Sequence, residues 1–171
     1  RNGLAKYNQR TDNFTGYISE DTSFGRPACN EIISLMESSQ GVLWAGTWYG
    51  GLARFNKETG QFRYYFGEVD TLTIPRIRTL FQRTANSFYL GSDDGLYTFN
   101  TTTGECLPTD DEQNKESIYA CYQDREGGIW IGTYFSGVSY LSPKHKDIEW
   151  SYPNGTENSL SGNVISQFCE D

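Results

Sequence analysis

Short runs of alternating apolar and polar residues recur along this chain, and each run ends at a cluster of turn-forming residues. One such stretch, at residues 31–36, reads EIISLM; the polar turn ESSQG follows it, and then the runs LWAGT and GLARF. Alternation with a period of two, bounded by Gly, Asn, Asp or Ser, is typical of β-strands. Long helical periodicity is absent. The pattern therefore predicts an all-β protein built from short strands.

The same order of strands and turns occurs three times. Residues 41–56 read GVLWAGTWYGGLARFN, and residues 127–142, 86 positions later, read GGIWIGTYFSGVSYLS. A less regular copy between them contains FYLGSDDGLYTFN, with Tyr89 in place of the tryptophan. Repeats spaced by 41 to 47 residues and marked by Trp and Gly indicate the blades of a β-propeller or a related array.

Each full repeat is predicted to form one four-stranded antiparallel meander, because it contains four strand runs and three turns but no crossover helix. Such a sheet covers both of its faces only by stacking against neighbouring sheets, as propeller blades do. We therefore expect a single segment of a larger propeller, with three full blades and two partial ones. Its expected parts are the end of a blade at 1–17, full blades at 30–66, 75–107 and 116–152, and the first strand of a further blade at 163–171.

The composition of the chain argues against some classes of partner. A formal net charge of −8 argues against a nucleic-acid partner, whose phosphates would be repelled. No run of 18 apolar residues occurs, so no membrane contact is expected within this segment. Because the chain begins with Arg rather than Met, we expect a processed or excised piece of a longer protein.

No cofactor, metal or catalytic site is predicted. The four cysteines lie far apart without a CxxC pair, so they could form disulfides or act as small buried apolar side chains. The adjacent carboxylates of Asp93 and Asp94 belong to a DDG sequence that favours a tight turn, where neighbouring side chains point apart. His145 is the only histidine, and lysines flank it.

Candidate binding residues lie in the turns between the second and third strands. These turns and the linkers between blades meet at one end of the sheets. As a set, they are longer and more varied in residue type than the turns at the other end. Loops on a rigid scaffold commonly carry function. Flat aromatic faces suit sugar rings, and carboxylates can accept hydrogen bonds from sugar hydroxyls. Alternatively, the rings pack between blades. The candidate residues are Trp48, Tyr49, Asp93, Asp94, Tyr134 and Phe135.

The repeated marks resemble the two-component regulator propeller repeat. They follow the pattern N-x-I-x-x-L, G-x-L-W-I-G-T, G-G-L-x-x-F-N and F-x-x-Y, and YPNGTENSLSGNVI at 152–165 is similar to the Ser-Leu-Ser-x-Asn-x-Ile linker of that family. The segment 65–77 is a degraded linker, with Pro75 where Asn would stand. The resemblance implies the extracytoplasmic sensor of a hybrid histidine kinase, typical of gut Bacteroidetes that sense oligosaccharides.

This resemblance implies a bacterial, periplasmic or otherwise extracytoplasmic sensor segment, without a kinase motif of its own, that contributes to oligosaccharide recognition. Its other expected partners are the remaining blades of the parent sensor, or a second copy through the open blade ends. An alternative is a structural or dimerisation scaffold with no ligand contact. An enzyme is the least favoured reading, because no acid and base cluster can be assembled from this sequence.

Overall fold

A computed structural model of the chain describes residues 3–20, 30–66, 76–109, 115–143, 148–157 and 159–169. Strands are its main regular elements. Within these ranges the strands are β1 Leu4–Asn8, β2 Asn13–Tyr17, β3 Ile32–Glu37, β4 Leu43–Thr47, β5 Leu52–Phe55, β6 Phe62–Tyr65, β7 Ile77–Thr84, β8 Ser87–Ser92, β9 Gly95–Asn100, β10 Cys106–Pro108, β11 Ile118–Gln123, β12 Ile129–Thr133, β13 Val138–Leu141 and β14 Ile148–Ser151.

The strands form meanders in which each strand is hydrogen-bonded to its neighbours in the chain. Three four-stranded sheets contain β3 to β6, β7 to β10 and β11 to β14, and β1 and β2 form a two-stranded sheet. The predicted all-β class, with antiparallel four-stranded blades of the propeller type, is confirmed. No helix in the described part of the chain is long and apolar enough to cross a membrane.

The chain divides into two compact units, residues 1–77 and 78–171. The first unit buries the apolar side chains of its four-stranded sheet, which are Trp44, Ala45, Leu52, Ala53 and Phe55. The second unit buries a cluster shared by two of its sheets, which consists of Tyr89, Leu96, Ile118, Ile129 and Ile131. Burial of such side chains is the main source of stability in both units.

The glycine of each second-strand signature (WAGT, YLGS and WIGT in the three copies) lies against an isoleucine further along the chain. The three pairs are Gly46 with Ile77, Gly91 with Ile118, and Gly132 with Ile165. A methyl group placed on these glycines would lie 2.9, 2.7 and 2.6 Å, respectively, from the isoleucine Cγ2 atom. Carbon atoms at rest need about 3.5 Å or more. The glycine is therefore required by packing, which explains why it repeats.

The segment that follows the last sheet contacts the turn before β13. Gly137 N donates to Asn163 O at 3.0 Å, and Ile165 N donates to Thr133 O at 2.9 Å. No strand is assigned to residues 163–169. The first strand of a further blade, expected at 163–171, therefore stays a prediction.

Candidate binding turns

A buried threonine hydroxyl shapes the turn that follows β12. Thr133 Oγ1 donates to Gly137 O and accepts from Ser136 N, both at 2.9 Å. The turn ends at Gly137, whose φ of 76° lies in the left-handed region that favours glycine. Thr47 donates in the same way to Gly51 O at 2.8 Å in the turn after β4. The threonine of the repeated signature thus holds the backbone that carries the exposed aromatic residues.

The turn after β8 uses serine and aspartate instead. Ser92 Oγ lies 2.5 Å from Asp94 Oδ1 and 3.0 Å from Gly95 O. Tyr97 OH donates to Asp94 Oδ2 at 3.3 Å. Burial, and then the negative charge of Asp94, raise the pKa of Tyr97 to about 12. Both carboxylate oxygens of Asp94 therefore accept hydrogen bonds from its own hairpin.

In the first unit, Trp48 is partly covered and Tyr49 is presented to solvent. The guanidinium carbon of Arg76 lies 4.2 Å from the centroid of the Trp48 ring, within the range of a cation–π contact. Trp48 N donates to Glu31 O at 2.9 Å, so the backbone is fixed as well. Tyr49 meets Trp48 edge to face at 6.1 Å and is 56% exposed.

In the second unit, a salt bridge and three aromatic rings form one continuous array. Arg78 Nε donates to Asp93 Oδ1, and the guanidinium carbon lies 4.2 Å from the centroid of Tyr119. Tyr119 stacks on Tyr134 at 5.0 Å with an interplanar angle of 27°, and Tyr134 meets Phe135 edge to face at 4.4 Å. Phe135 is 66% exposed and Tyr134 36%. We call these five residues the Arg78–Phe135 array.

A β-bulge places Tyr119 in this array. Ile118 pairs with Thr133 and Ala120 pairs with Gly132, so Tyr119 is the extra residue between the two pairs. Bulges redirect a side chain and are frequent beside functional sites. Ser117, directly before β11, also connects this strand to the turn after β8, since its hydroxyl donates to Asp93 O at 2.7 Å.

The structure brings some of the predicted residues together and separates others. Asp93 is joined to Tyr134 and Phe135 through Arg78 and Tyr119, neither of which is among the predicted residues. Trp48 and Tyr49 contact each other in the first unit, and Asp94 is engaged within its own hairpin. One signal could have revealed the missed residues: the position after the repeated first-strand isoleucine holds Ile33, Arg78 and Tyr119 in the three copies.

Trp130 has a structural environment. Its Nε1 donates to Asp124 Oδ2 at 2.9 Å, and Asp124 Oδ1 accepts from Gly128 N at 2.7 Å. The indole hydrogen bond is the main cause that lowers the pKa of Asp124, with backbone N–H groups of the same turn adding to it. The carboxylate therefore connects the turn after β11 to the tryptophan of the signature.

Other candidate chemistry is limited in the described ranges. They contain no group of three or more His, Cys, Asp or Glu residues arranged to hold a metal ion. Burial raises the pKa of both Cys106 and Cys121 to about 12, so these thiols stay protonated at neutral pH. His145 and Cys29 lie outside the described residues.

Three antiparallel meanders, two of them with aromatic turns, define a segment of a β-propeller. The family model described as two component regulator propeller matches this chain at residues 27–49 and 112–135. These segments include the LWAGT and IWIGT signatures. Two segments of the chain therefore match the repeat family that the sequence marks indicated. No curated protein matches the sequence.

Solved structures with this fold include bacterial extracellular domains. The extracellular domain of BT4673 from B. thetaiotaomicron, described as a one-component system, is 22% identical over 96% of this chain and 22% of its own length, with a TM-score of 0.75. That of BT3049, a hybrid two component system of the same organism, is 18% identical over 100% and 28%, with a TM-score of 0.62. Virginiamycin B lyase from Staphylococcus aureus is 10% identical over 90% and 50%, with a TM-score of 0.65.

These similarities establish the fold, because every identity is below 25%. The chain spans 22% and 28% of the two B. thetaiotaomicron domains. It therefore corresponds to part of such a domain. A catalytic and a sensory protein share the architecture, so function has to be argued from the residues of the turns.

Proposed function

We propose that this chain is a non-catalytic sensor segment from the periplasmic region of a two-component histidine kinase and that it contributes to the recognition of an oligosaccharide. The repeat family and the extracellular domains with the same fold support the sensor part of this proposal. The Arg78–Phe135 array supports the ligand part.

The observation that carries the ligand proposal is the exposure of stacked rings on a fixed turn. Phe135 is 66% exposed, although burial of an aromatic ring is strongly favourable. Its turn is locked by Thr133, so a ligand would meet a surface that is already ordered. Preorganisation reduces the entropic cost of binding. Exposed aromatic faces beside polar groups suit the apolar faces and hydroxyls of sugars.

The test is a glycan array of plant and host oligosaccharides probed with the wild-type chain and with two variants. Phe135→Ala should weaken binding of any retained sugar about tenfold, because an aromatic contact contributes on the order of 1 kcal/mol beyond its area. Leu107→Ala is the matched control, since Leu107 is also exposed in the second unit but lies on β10, outside the turn. Neither variant should change the unfolding free energy by more than about 0.5 kcal/mol. Equal losses in both variants, or no binding by the wild type, would contradict the proposal.

A second candidate function is a self-associating scaffold, and the two-stranded sheet favours it. Tyr7 and Phe14 contact each other at 5.2 Å on this sheet, and Phe14 is 69% exposed. Such apolar surface often marks an interaction site. Light scattering over a concentration series should show association of the wild type that is reduced in Phe14→Ala. A compact monomer at every concentration would rule this candidate out.

A further inference from the structure

We infer that the ion pair between Asp93 and Arg78 sets the charge preference of the Arg78–Phe135 array: it keeps the arginine occupied, so that the aromatic turn accepts uncharged hydroxylated ligands and rejects acidic ones. This inference rests on the proposed function. It concerns the chemical class of the ligand rather than whether a ligand binds.

Arg78 is already engaged on two sides. Its Nε donates to the Asp93 carboxylate, and its guanidinium carbon lies over the Tyr119 ring, 4.2 Å from the centroid. Side-chain exposure is 18% for Arg78 and 22% for Asp93. Charges at this depth are screened less by solvent than surface charges. A ligand carboxylate would have to compete with Asp93 for the guanidinium group.

The local charge around Arg78 also disfavours acidic ligands. Arg78 and Asp93 neutralise each other, and Asp94 follows directly in the chain. No cation in the described residues forms an ion pair with Asp94, whose oxygens accept from Ser92 and Tyr97. The three charged groups therefore sum to −1, which repels an approaching anion.

The ion pair lies at one end of the Arg78–Phe135 array, and the exposed turn lies at the other. Tyr119 stacks on Tyr134 at 5.0 Å, so the array connects the ion pair to the exposed turn through two rings. A sugar stacked on these rings would extend toward the charged end of the array. There, hydroxyl groups can donate to the carboxylate of Asp93, whereas a uronate carboxylate would be repelled by it.

The test compares two adjacent substitutions that change the net charge equally. Asp93→Asn removes the charge that holds Arg78 and keeps an oxygen that can accept from it. Asp94→Asn removes the same charge one residue away and leaves the Arg78 ion pair intact. The variants and the wild type are titrated with neutral and with uronate-bearing hexasaccharides, and circular dichroism verifies their fold.

The wild type should bind neutral probes and not uronate-bearing ones. Asp93→Asn should increase affinity for uronate-bearing probes about tenfold or more, because a neutral amide competes less strongly than a carboxylate for the guanidinium, with which a ligand carboxylate can then form charge-assisted hydrogen bonds. Asp94→Asn should increase it less than about threefold, because it weakens the general repulsion of anions but leaves the guanidinium of Arg78 paired with Asp93. In the double variant Asp93→Asn/Arg78→Gln, the gain should disappear.

The two proposals fail differently. If the wild type binds uronate-bearing probes as tightly as neutral ones, or if both single variants gain equally, the charge inference is wrong while the sensor proposal stands. If the wild type binds no probe, the sensor proposal is wrong. The charge inference is then judged by the difference between the two single variants alone, and equal affinities would overturn it. If Asp93→Asn does not fold, the wild-type titration still decides the inference.

Discussion

Replacing Ser139 by alanine should make the protein more stable. Ser139 lies on β13, opposite Ile131 of β12, and is fully buried. Within the described residues, its hydroxyl is a buried side-chain polar group without a hydrogen-bond partner. A buried hydroxyl that has lost its water costs about 1–3 kcal/mol, whereas Ser139→Ala removes only one oxygen atom and opens little space. We expect the free energy of unfolding to rise by about 1 kcal/mol or more.

The repeat offers a reciprocal control. Ala53 occupies the equivalent position 86 residues earlier and is also fully buried. Ala53→Ser should therefore lower the free energy of unfolding by about the amount that Ser139→Ala raises it. Both changes can be measured by urea unfolding followed by tryptophan fluorescence, and each 1 kcal/mol corresponds to a Tm shift of about 2–4 °C for a chain of this size. A loss of stability in Ser139→Ala would show that the hydroxyl is satisfied and would refute the reasoning.

Two further predictions concern the turns. Thr133→Val keeps the shape of the side chain but removes its hydrogen bonds with Gly137 O and Ser136 N. Urea unfolding should show that the free energy of unfolding falls by about 2 kcal/mol. A decrease below about 0.5 kcal/mol would contradict the role assigned to the hydroxyl. The pKa of Asp124 is lowered in the folded state, mainly by the hydrogen bond from Trp130. The ionised carboxylate therefore stabilises the folded protein, and this contribution is complete above the ordinary pKa of 3.8 and is lost as the pH falls through the folded-state pKa. Asp124→Asn should reduce this acid dependence in unfolding titrations, and an unchanged pH profile would argue against the contact.

The fold could be predicted because the repeated residues have local roles that recur in every copy. Gly91 and Gly132 are required by the approach of an isoleucine, and Thr133 is required by its turn. Requirements of this kind recur with the chain period and are visible as sequence marks. Residues that alternate between apolar and polar then give the strands their faces. The pattern therefore contained enough information to identify blades and their order.

The candidate site could be predicted only in part, because it depends on contacts that do not repeat. Asp93 and Asp94 are chemically identical and adjacent, yet one meets Arg78 and the other is engaged within its own hairpin. Only the three-dimensional arrangement distinguishes them. Tyr119 reaches Tyr134 through a bulge, and a one-residue insertion in pairing has no clear mark in a strand sequence.

The contact between each signature glycine and the following isoleucine has a consequence for how such chains grow. One repeat supplies the hollow and the next supplies the side chain that fills it, as with Gly91 and Ile118 and then Gly132 and Ile165. The contact is therefore heterologous and runs head to tail along the chain. A gene duplication that inserts one more repeat would supply both the glycine and the isoleucine that this contact needs. Arrays of different length can therefore arise without a new type of interface between repeats.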